Sequence, residues 1–144
     1  MYENYTRQAL PSKTYRELLG TAICVFNANN AFIIENILNT KIDSSLSWHS
    51  LIDKESGKLA PIVKQTINDD NISELFAQII KMRNRIIHSY QITGPKNEQI
   101  LCTKVKAPDN KQFVITVDYL MNFIKENEKL STLLHAYRKD IKTL

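Results

Sequence analysis

The chain has 144 residues, of which 43% are hydrophobic and 24% are charged, and its formal net charge is +4 at pH 7. These values fit one compact domain with an apolar core, and a content of only 3 Gly and 4 Pro favours long regular elements over a loop-rich β fold. No glycine-rich phosphate loop is present, and the 3 histidines lack metal-ligand spacing, which argues against the common nucleotide-binding and metal-dependent enzyme classes.

The N-terminal part predicts a flexible arm followed by a long helix. The arm covers residues 1–11, Ser12 is suited to cap the helix, and the helix extends to about residue 39. Asn27, Asn29 and Asn30 interrupt its apolar pattern and indicate a kink, a polar patch facing a partner, or ordinary exposed surface. The apolar positions at helical spacing are Tyr15, Leu18, Leu19, Ala22, Ile23, Phe26, Phe32, Ile33, Ile37 and Leu38.

The same region bears on location. The first residues lack the charged and apolar parts of a secretory signal, and no uncharged run, including residues 18–26, is long enough to cross a bilayer. Cys24 and Cys102 lie far apart in apolar or β-like surroundings, which favours two reduced thiols over a disulfide framework. We therefore expect a cytoplasmic protein with no membrane partner.

Two short helices are predicted over residues 44–52 and 59–67, separated by Glu55-Ser56-Gly57. Trp48 is expected to pack in the first of them rather than to stack on a nucleobase. His49 is expected to be exposed or at the edge of the core, so it is not a site candidate.

A strongly amphipathic helix is predicted over residues 71–90. Residues 68–71 offer caps for its start, and Gly94-Pro95 marks its end. Its apolar positions are Ile72, Leu75, Phe76, Ile79, Ile80, Ile86 and Ile87. This helix and the long N-terminal helix are expected to form the antiparallel centre of a helical bundle.

Arg83 lies in the apolar face of that helix. At about 100° of rotation per residue, Tyr90 points almost the same way, while Asn84 and His88 share the neighbouring flank. A guanidinium cannot lose its proton, so a buried one requires a carboxylate, a hydrogen-bonded network or an anionic ligand. Each residue alone has an ordinary explanation, as a complement to the helix dipole or as a core-edge tyrosine. Their joint occurrence favours a functional site in an aqueous seam between subunits.

A β-hairpin is predicted over residues 99–106 and 112–117, around the turn-rich residues 107–110. A final helix then begins at Thr116 or Asp118 and extends to about residue 140.

Basic side chains cluster near the end of the motif helix. We predict that Arg85, Lys104 and Lys106 contact an RNA backbone, which the net positive charge permits without requiring it. Lysines on edge strands also block unwanted strand pairing, and this is the alternative explanation for the two lysines.

Arg83, Asn84, His88 and Tyr90 together resemble the HEPN family of small helical proteins, many of which are metal-independent endoribonucleases. The family signature is an Arg, four to six further residues and a His, often with a polar residue after the Arg, and this chain fits the shortest spacing. In one branch, the toxins encoded beside a minimal nucleotidyltransferase, a Tyr follows two residues after the His, as Tyr90 does. The resemblance is specific over these eight residues and architectural elsewhere. It implies a single HEPN-like domain over residues 1–144, with the hairpin of about 99–117 as an insertion.

The resemblance implies RNA cleavage without a metal or cofactor. The ribose 2′-hydroxyl must lose a proton, the charge on phosphorus must be stabilised and the leaving oxygen must gain a proton. An imidazole suits the proton transfers because its ordinary pKa is about 6.5, and a guanidinium suits the phosphate oxygens because it stays charged. Asn84 would orient His88 or contact phosphate. Since one chain supplies one His88, a homodimer would supply both an acid and a base.

We therefore predict catalytic Arg83, Asn84 and His88 in an endoribonuclease of the toxin or antiphage-defence type, with RNA as substrate. Tyr90 is a candidate site for nucleotide attachment by a nucleotidyltransferase antitoxin, since an adenylate would add bulk and negative charge beside Arg83 and His88. A defence-system protein is the other candidate partner. The alternative function is a non-catalytic module whose basic seam binds nucleotides, RNA or a protein.

Overall fold

The computed structural model describes residues 2–40, 45–104 and 111–142. It is mainly helical, with a small antiparallel sheet before the last helix, so the predicted fold class is confirmed at this level. The elements in chain order are α1 (Lys13–Thr40), α2 (Trp48–Ile52), α3 (Ser56–Thr66), α4 (Asp70–Ile87), β1 (Tyr90–Thr93), β2 (Gln99–Lys104), β3 (Gln112–Ile115) and α5 (Val117–Lys142).

Four helices enclose the core. α1 packs against α5 and α3, and α4 packs against the same two helices. Each helix presents an apolar face, and these faces meet because burying them removes their side chains from water. Among the largest fully buried side chains are Ile33, Leu59, Phe76 and Phe123, one from each of the four helices.

α1 and α5 form the most extensive helix pair, and they run in the same direction. Phe26 stacks on Phe123 with ring centroids 6.3 Å apart, and one turn further along both helices Asn29 meets Asn127. The predicted central pairing of α1 with the motif helix is therefore wrong. α5 takes that place, and it nearly matches α1 in length, with 26 residues against 28.

The three central asparagines leave α1 unbroken from Lys13 to Thr40. Asn29 is buried, and its Nδ2 donates to the backbone oxygen of Asn127 at 2.8 Å and to Oδ1 of Asn127 at 3.1 Å. This pairing satisfies the amide inside the α1–α5 interface. Asn27, in contrast, is exposed.

The sheet has the order β1-β2-β3, and both neighbouring pairs are antiparallel. β2 and β3 confirm the two predicted hairpin strands, while the predicted turn over residues 107–110 lies outside the described residues. β1 was not predicted. It adds to the hairpin through Tyr90, which pairs with Cys102 of β2.

α4 ends at Ile87, so the predicted helix over residues 71–90 is too long at its C-terminal end. The chain leaves the helix at His88, whose backbone angles are φ −93° and ψ 19°. The start is close to the prediction, because Asp69 Oδ1 accepts the backbone N–H of Asn71 at 2.9 Å and so caps the helix.

Tyr15 fastens the sheet to α1. Its hydroxyl donates to the backbone oxygen of Ile115 at 2.6 Å and accepts from the backbone N–H of Leu101 at 3.3 Å. Burial raises the pKa of this phenol, which keeps the donated proton in place. The sheet is thereby held against the N-terminal part of α1.

Residues 2–11, predicted as a flexible arm, make defined contacts. The Arg16 guanidinium donates to Glu3 Oε1 at 2.8 Å and to the Tyr5 hydroxyl at 3.1 Å, and Gln91 Nε2 donates to the backbone oxygen of Ala9 at 2.7 Å. The hydrogen bond from Arg16 lowers the pKa of Glu3. The Glu3–Arg16 ion pair is therefore fully formed at neutral pH and is lost as the pH falls through the lowered pKa of Glu3.

Among the described residues, α1 is long and apolar enough to cross a membrane by length and composition alone, and the absence of a membrane span stays a prediction. The core helix of a soluble protein meets the same criterion. α1 contributes Ala22, Phe26, Ile33 and Ile34 to the core, although only 28% of its most apolar stretch is buried.

α2 and α3 correspond to the two predicted short helices. α2 begins after Ser47, whose side chain caps it, and α3 begins at Ser56, three residues before the predicted start. Residue 44, the predicted start of the first helix, lies outside the described residues. Leu51 is buried, but Trp48 remains 37% exposed, so its predicted packing is only partial.

Candidate functional site

Arg83 lies near the end of α4 and is half-buried. Its Cζ atom lies 5.2 Å from the centre of the Phe26 ring, and its Nη1 donates to Asn84 Oδ1 at 3.2 Å. Within residues 2–40, 45–104 and 111–142, no carboxylate lies at ion-pair distance from Arg83. An aromatic face and one amide therefore surround this charge, and an anion would complete its set of partners.

Asn84 and His88 follow Arg83 at the end of the same helix. The backbone N–H of His88 donates to the backbone oxygen of Asn84 at 3.0 Å, which places the two residues one turn apart on one flank. His88 is exposed, and its imidazole has no hydrogen-bond partner in the part of the chain that the structure describes. The Ser89 hydroxyl donates to the backbone oxygen of Ile86 at 2.6 Å, so the helix end has a capping side chain other than His88.

A cavity of about 130 Å³ opens beside Arg83 where α1, α4 and α5 meet. Apolar side chains form most of its wall, and the polar contributions come from Arg83 and Asn27. Ile87, next to His88 in the chain, is 43% exposed. Small-molecule sites are usually apolar pockets with a few polar groups and volumes of about 300–1,000 Å³, so this smaller cavity suits only a small group. The residues lining it are Ala22, Ile23, Phe26, Asn27, Arg83, Ile86, Ile87 and Phe123.

Tyr90 lies on β1 and not on α4, so the helical rotation that aligned it with Arg83 does not apply, and that prediction is wrong. The side chain is 43% exposed, and its hydroxyl accepts a hydrogen bond from Gln112 Nε2 at 3.2 Å. Since Gln112 belongs to β3, the Tyr90 ring reaches across β2, where Cys102 is fully buried. The phenol is therefore accessible and has one hydrogen bond to a side chain of β3.

Arg85, a predicted RNA contact, is half-buried, and its Cζ atom lies 4.3 Å from the centre of the Phe113 ring. Phe113 meets Tyr119 edge to face at 5.2 Å, and the Tyr119 hydroxyl donates to the backbone oxygen of Met82 at 3.2 Å. Burial raises the pKa of Tyr119, and the charge of Arg85 partly opposes this rise. Arg85 therefore helps to fasten α4 to β3 and α5.

Lys104 is exposed at the end of β2, and Lys106 lies outside the described residues. No group of three or more His, Cys, Asp and Glu side chains that could hold a metal occurs among the residues described. A larger groove of about 570 Å³ lies between α3 and α4, but none of the predicted site residues lines it.

The sequence did not identify the α1 side of the site. Phe26 and Ile23 match the pattern of ordinary core residues, and only their contacts with α4 reveal their position beside Arg83. Asn27 could be noticed in the sequence, because it is a polar residue that interrupts the apolar pattern of α1. The sequence does not indicate which other element Asn27 faces.

No protein-family model matches this chain, and neither a curated protein sequence nor a solved structure matches it. Its function therefore has to be argued from the chemistry and geometry of the site, since a fold alone does not define an activity.

Proposed function

We propose that this chain is a metal-independent endoribonuclease of the HEPN type, and that two copies form a homodimer with one shared RNA-cleaving site. The observation that carries the proposal is the half-buried Arg83 guanidinium, which has no carboxylate partner in the described part of the chain. A phosphate would complete its partners. The exposed imidazole of His88 lies on the same helix end to move protons.

The proposed reaction is a transfer within the RNA itself. The 2′-oxygen attacks phosphorus while one His88 imidazole takes its proton, and the bond to the 5′-oxygen breaks as the other His88 imidazolium donates a proton to it. The products are a 2′,3′-cyclic phosphate and a 5′-hydroxyl. Arg83 stabilises the charge that grows on the phosphate oxygens, because its planar donors pair with two of them.

Asn84 has a supporting part in this reaction. Its Oδ1 accepts from Arg83 Nη1 at 3.2 Å, so it fixes the guanidinium without neutralising it. An aspartate at the same position would pair with Arg83 and compete with phosphate. A neutral amide therefore suits a site that binds an anion.

A second protomer would supply the second imidazole that the proposed acid–base pair uses, because each chain contributes one imidazole at this helix end. Ile87, 43% exposed beside His88, supplies apolar surface that a partner would cover. A two-fold axis passing this point would place the same residues of both chains around one RNA linkage.

The direct test is incubation of purified protein with RNA in excess chelator, followed by analysis of the fragment ends. We expect cleavage to continue without divalent metal and to leave 2′,3′-cyclic phosphate. Retention of intact RNA that nevertheless binds the protein would replace the proposed enzyme with the alternative, a non-catalytic RNA-binding or nucleotide-binding module.

We further place this enzyme in the cytoplasm as a toxin or defence effector, restrained by a partner that modifies Tyr90. The phenol is exposed enough to be modified, and its hydroxyl accepts one hydrogen bond from Gln112. Incubation with a minimal nucleotidyltransferase and ATP should add the mass of one adenylate to wild type and to Tyr2→Phe, whose tyrosine is also exposed. An equal gain on Tyr90→Phe, or none on wild type, would refute this assignment.

A further inference from the structure

We propose that the cavity beside Arg83 is a nucleobase subsite, which holds the base next to the cleaved phosphate, and that Asn27 contacts the edge of that base. The choice of RNA as ligand rests on the proposed function. A base bound in this cavity would give the enzyme a preference for one base beside the cleaved bond. The catalytic residues alone do not provide such a preference.

The walls of the cavity suit a flat, largely apolar ring. Ile23 and Phe26 line it from α1, Ile86 and Ile87 from α4, and Phe123 from α5. A nucleobase has two apolar faces that gain from leaving water, and only its edge requires hydrogen bonds. The cavity is partly open, and its volume of about 130 Å³ restricts the occupant to a small group such as one base.

Asn27 provides the polar contact that a base edge requires. Asn27 lines the cavity and is exposed, and its side-chain amide has no hydrogen-bond partner among residues 2–40, 45–104 and 111–142. An amide carries both donors and an acceptor, so it forms two hydrogen bonds at once with a base edge that has an adjacent donor and acceptor.

Arg83 connects this cavity with the phosphate position. The same guanidinium lines the cavity, lies 5.2 Å from the Phe26 ring centre and donates to Asn84 on the outer side of α4. A nucleotide whose phosphate pairs with Arg83 therefore has the cavity within reach of its attached base.

Binding is tested without relying on cleavage, by titrating wild-type protein labelled at isoleucine methyl groups with the 3′-monophosphates of the four nucleosides. We expect shifts for Ile23, Ile86 and Ile87 with at least one nucleotide, while the methyl signals of buried Ile72 on the far part of α4 stay in place. Ribose 5-phosphate, which lacks a base, should leave the cavity signals unchanged. Equal shifts with ribose 5-phosphate, or no shifts with any nucleotide, would overturn the subsite.

Asn27→Ala tests the edge contact, with Asn39→Ala as the matched control because Asn39 is also exposed on α1. One base should bind wild type about tenfold more tightly than the others, since a two-bond amide–base contact discriminates by a factor of roughly 5 to 150. Asn27→Ala should abolish this preference and Asn39→Ala should keep it, with unchanged thermal unfolding in both. Preference retained in Asn27→Ala would exclude the proposed contact.

Cleavage of four RNAs that differ in a single base separates this inference from the proposed function. Wild type should cut best next to the base that binds most tightly, and Asn27→Ala should cut all four at similar rates. Cleavage by wild type without any base preference would refute the subsite and leave the endoribonuclease standing. Base-selective binding without cleavage would refute the endoribonuclease and leave the subsite standing.

Discussion

Replacing His88 with alanine is expected to lower the rate of RNA cleavage in chelator by about 10²- to 10⁴-fold, the usual contribution of a positioned acid or base. The imidazole is exposed and makes no hydrogen bond within the described residues, so its removal leaves the helix end intact. The loss should therefore appear in kcat, with little change in RNA binding. Initial rates on a fluorogenic RNA, together with the affinity for a 2′-deoxy analogue, measure the two quantities separately.

His49→Ala is the matched control, because His49 is also exposed but lies on α2, away from α4. An exposed substitution of this kind changes the free energy of unfolding by no more than about 0.5 kcal/mol. His49→Ala should cleave RNA like wild type. Wild-type activity in His88→Ala would remove the proposed mechanism, whatever the binding data show.

Replacing Arg83 with alanine is expected to reduce cleavage by about 10²- to 10³-fold, because the charge on the phosphate oxygens then loses a preorganised donor. RNA binding should weaken as well, since the ground-state phosphate also carries charge. Arg83→Lys should recover binding better than cleavage, because an ammonium supplies the charge without the planar pair of donors. Single-turnover rates and binding constants at fixed ionic strength measure this contrast.

Arg7→Ala provides the control for Arg83, because Arg7 is an exposed arginine of the N-terminal arm. Thermal unfolding should be recorded for both variants, since Arg83 also lies over the Phe26 ring and a cation–π contact contributes about 0.5–2 kcal/mol. Full cleavage by folded Arg83→Ala would show that this guanidinium does not act on the phosphate.

The long helices could be predicted because their cause is local. In α1 and α4, apolar residues recur at three- and four-residue spacing over many turns, and that spacing alone defines a helix with one buried face. The pairing of α1 with α5 could not be predicted in the same way. It depends on contacts such as Phe26 with Phe123, between residues that are far apart in the chain.

The C-terminal end of α4 could not be predicted from local sequence either. Tyr90 fits a helical continuation by spacing, but its backbone pairs with Cys102 of β2, and that pairing is decided by a strand later in the chain. The C-terminal boundary was therefore missed, whereas the N-terminal one, set locally by the Asp69 cap, was close.

One part of the candidate site could be predicted from local sequence, and the other part could not. Arg83, Asn84 and His88 share one helix end, so their spacing in the sequence already implied their proximity. The cavity that includes Asn27 needs α1, α4 and α5 together, and no local pattern encodes it. Arg85 was predicted from the sequence to contact RNA, but its guanidinium contacts the Phe113 ring and so also has a structural function.

The shared site is tested most directly by a dimer that carries one wild-type subunit and one His88→Ala subunit, purified through a different affinity tag on each chain. If both imidazoles serve one RNA linkage, this mixed dimer should retain less than about a tenth of wild-type cleavage in chelator, close to the double variant. Half of the wild-type activity would mean that each subunit acts alone. That result, or failure of the two tagged chains to associate, would contradict the composite site.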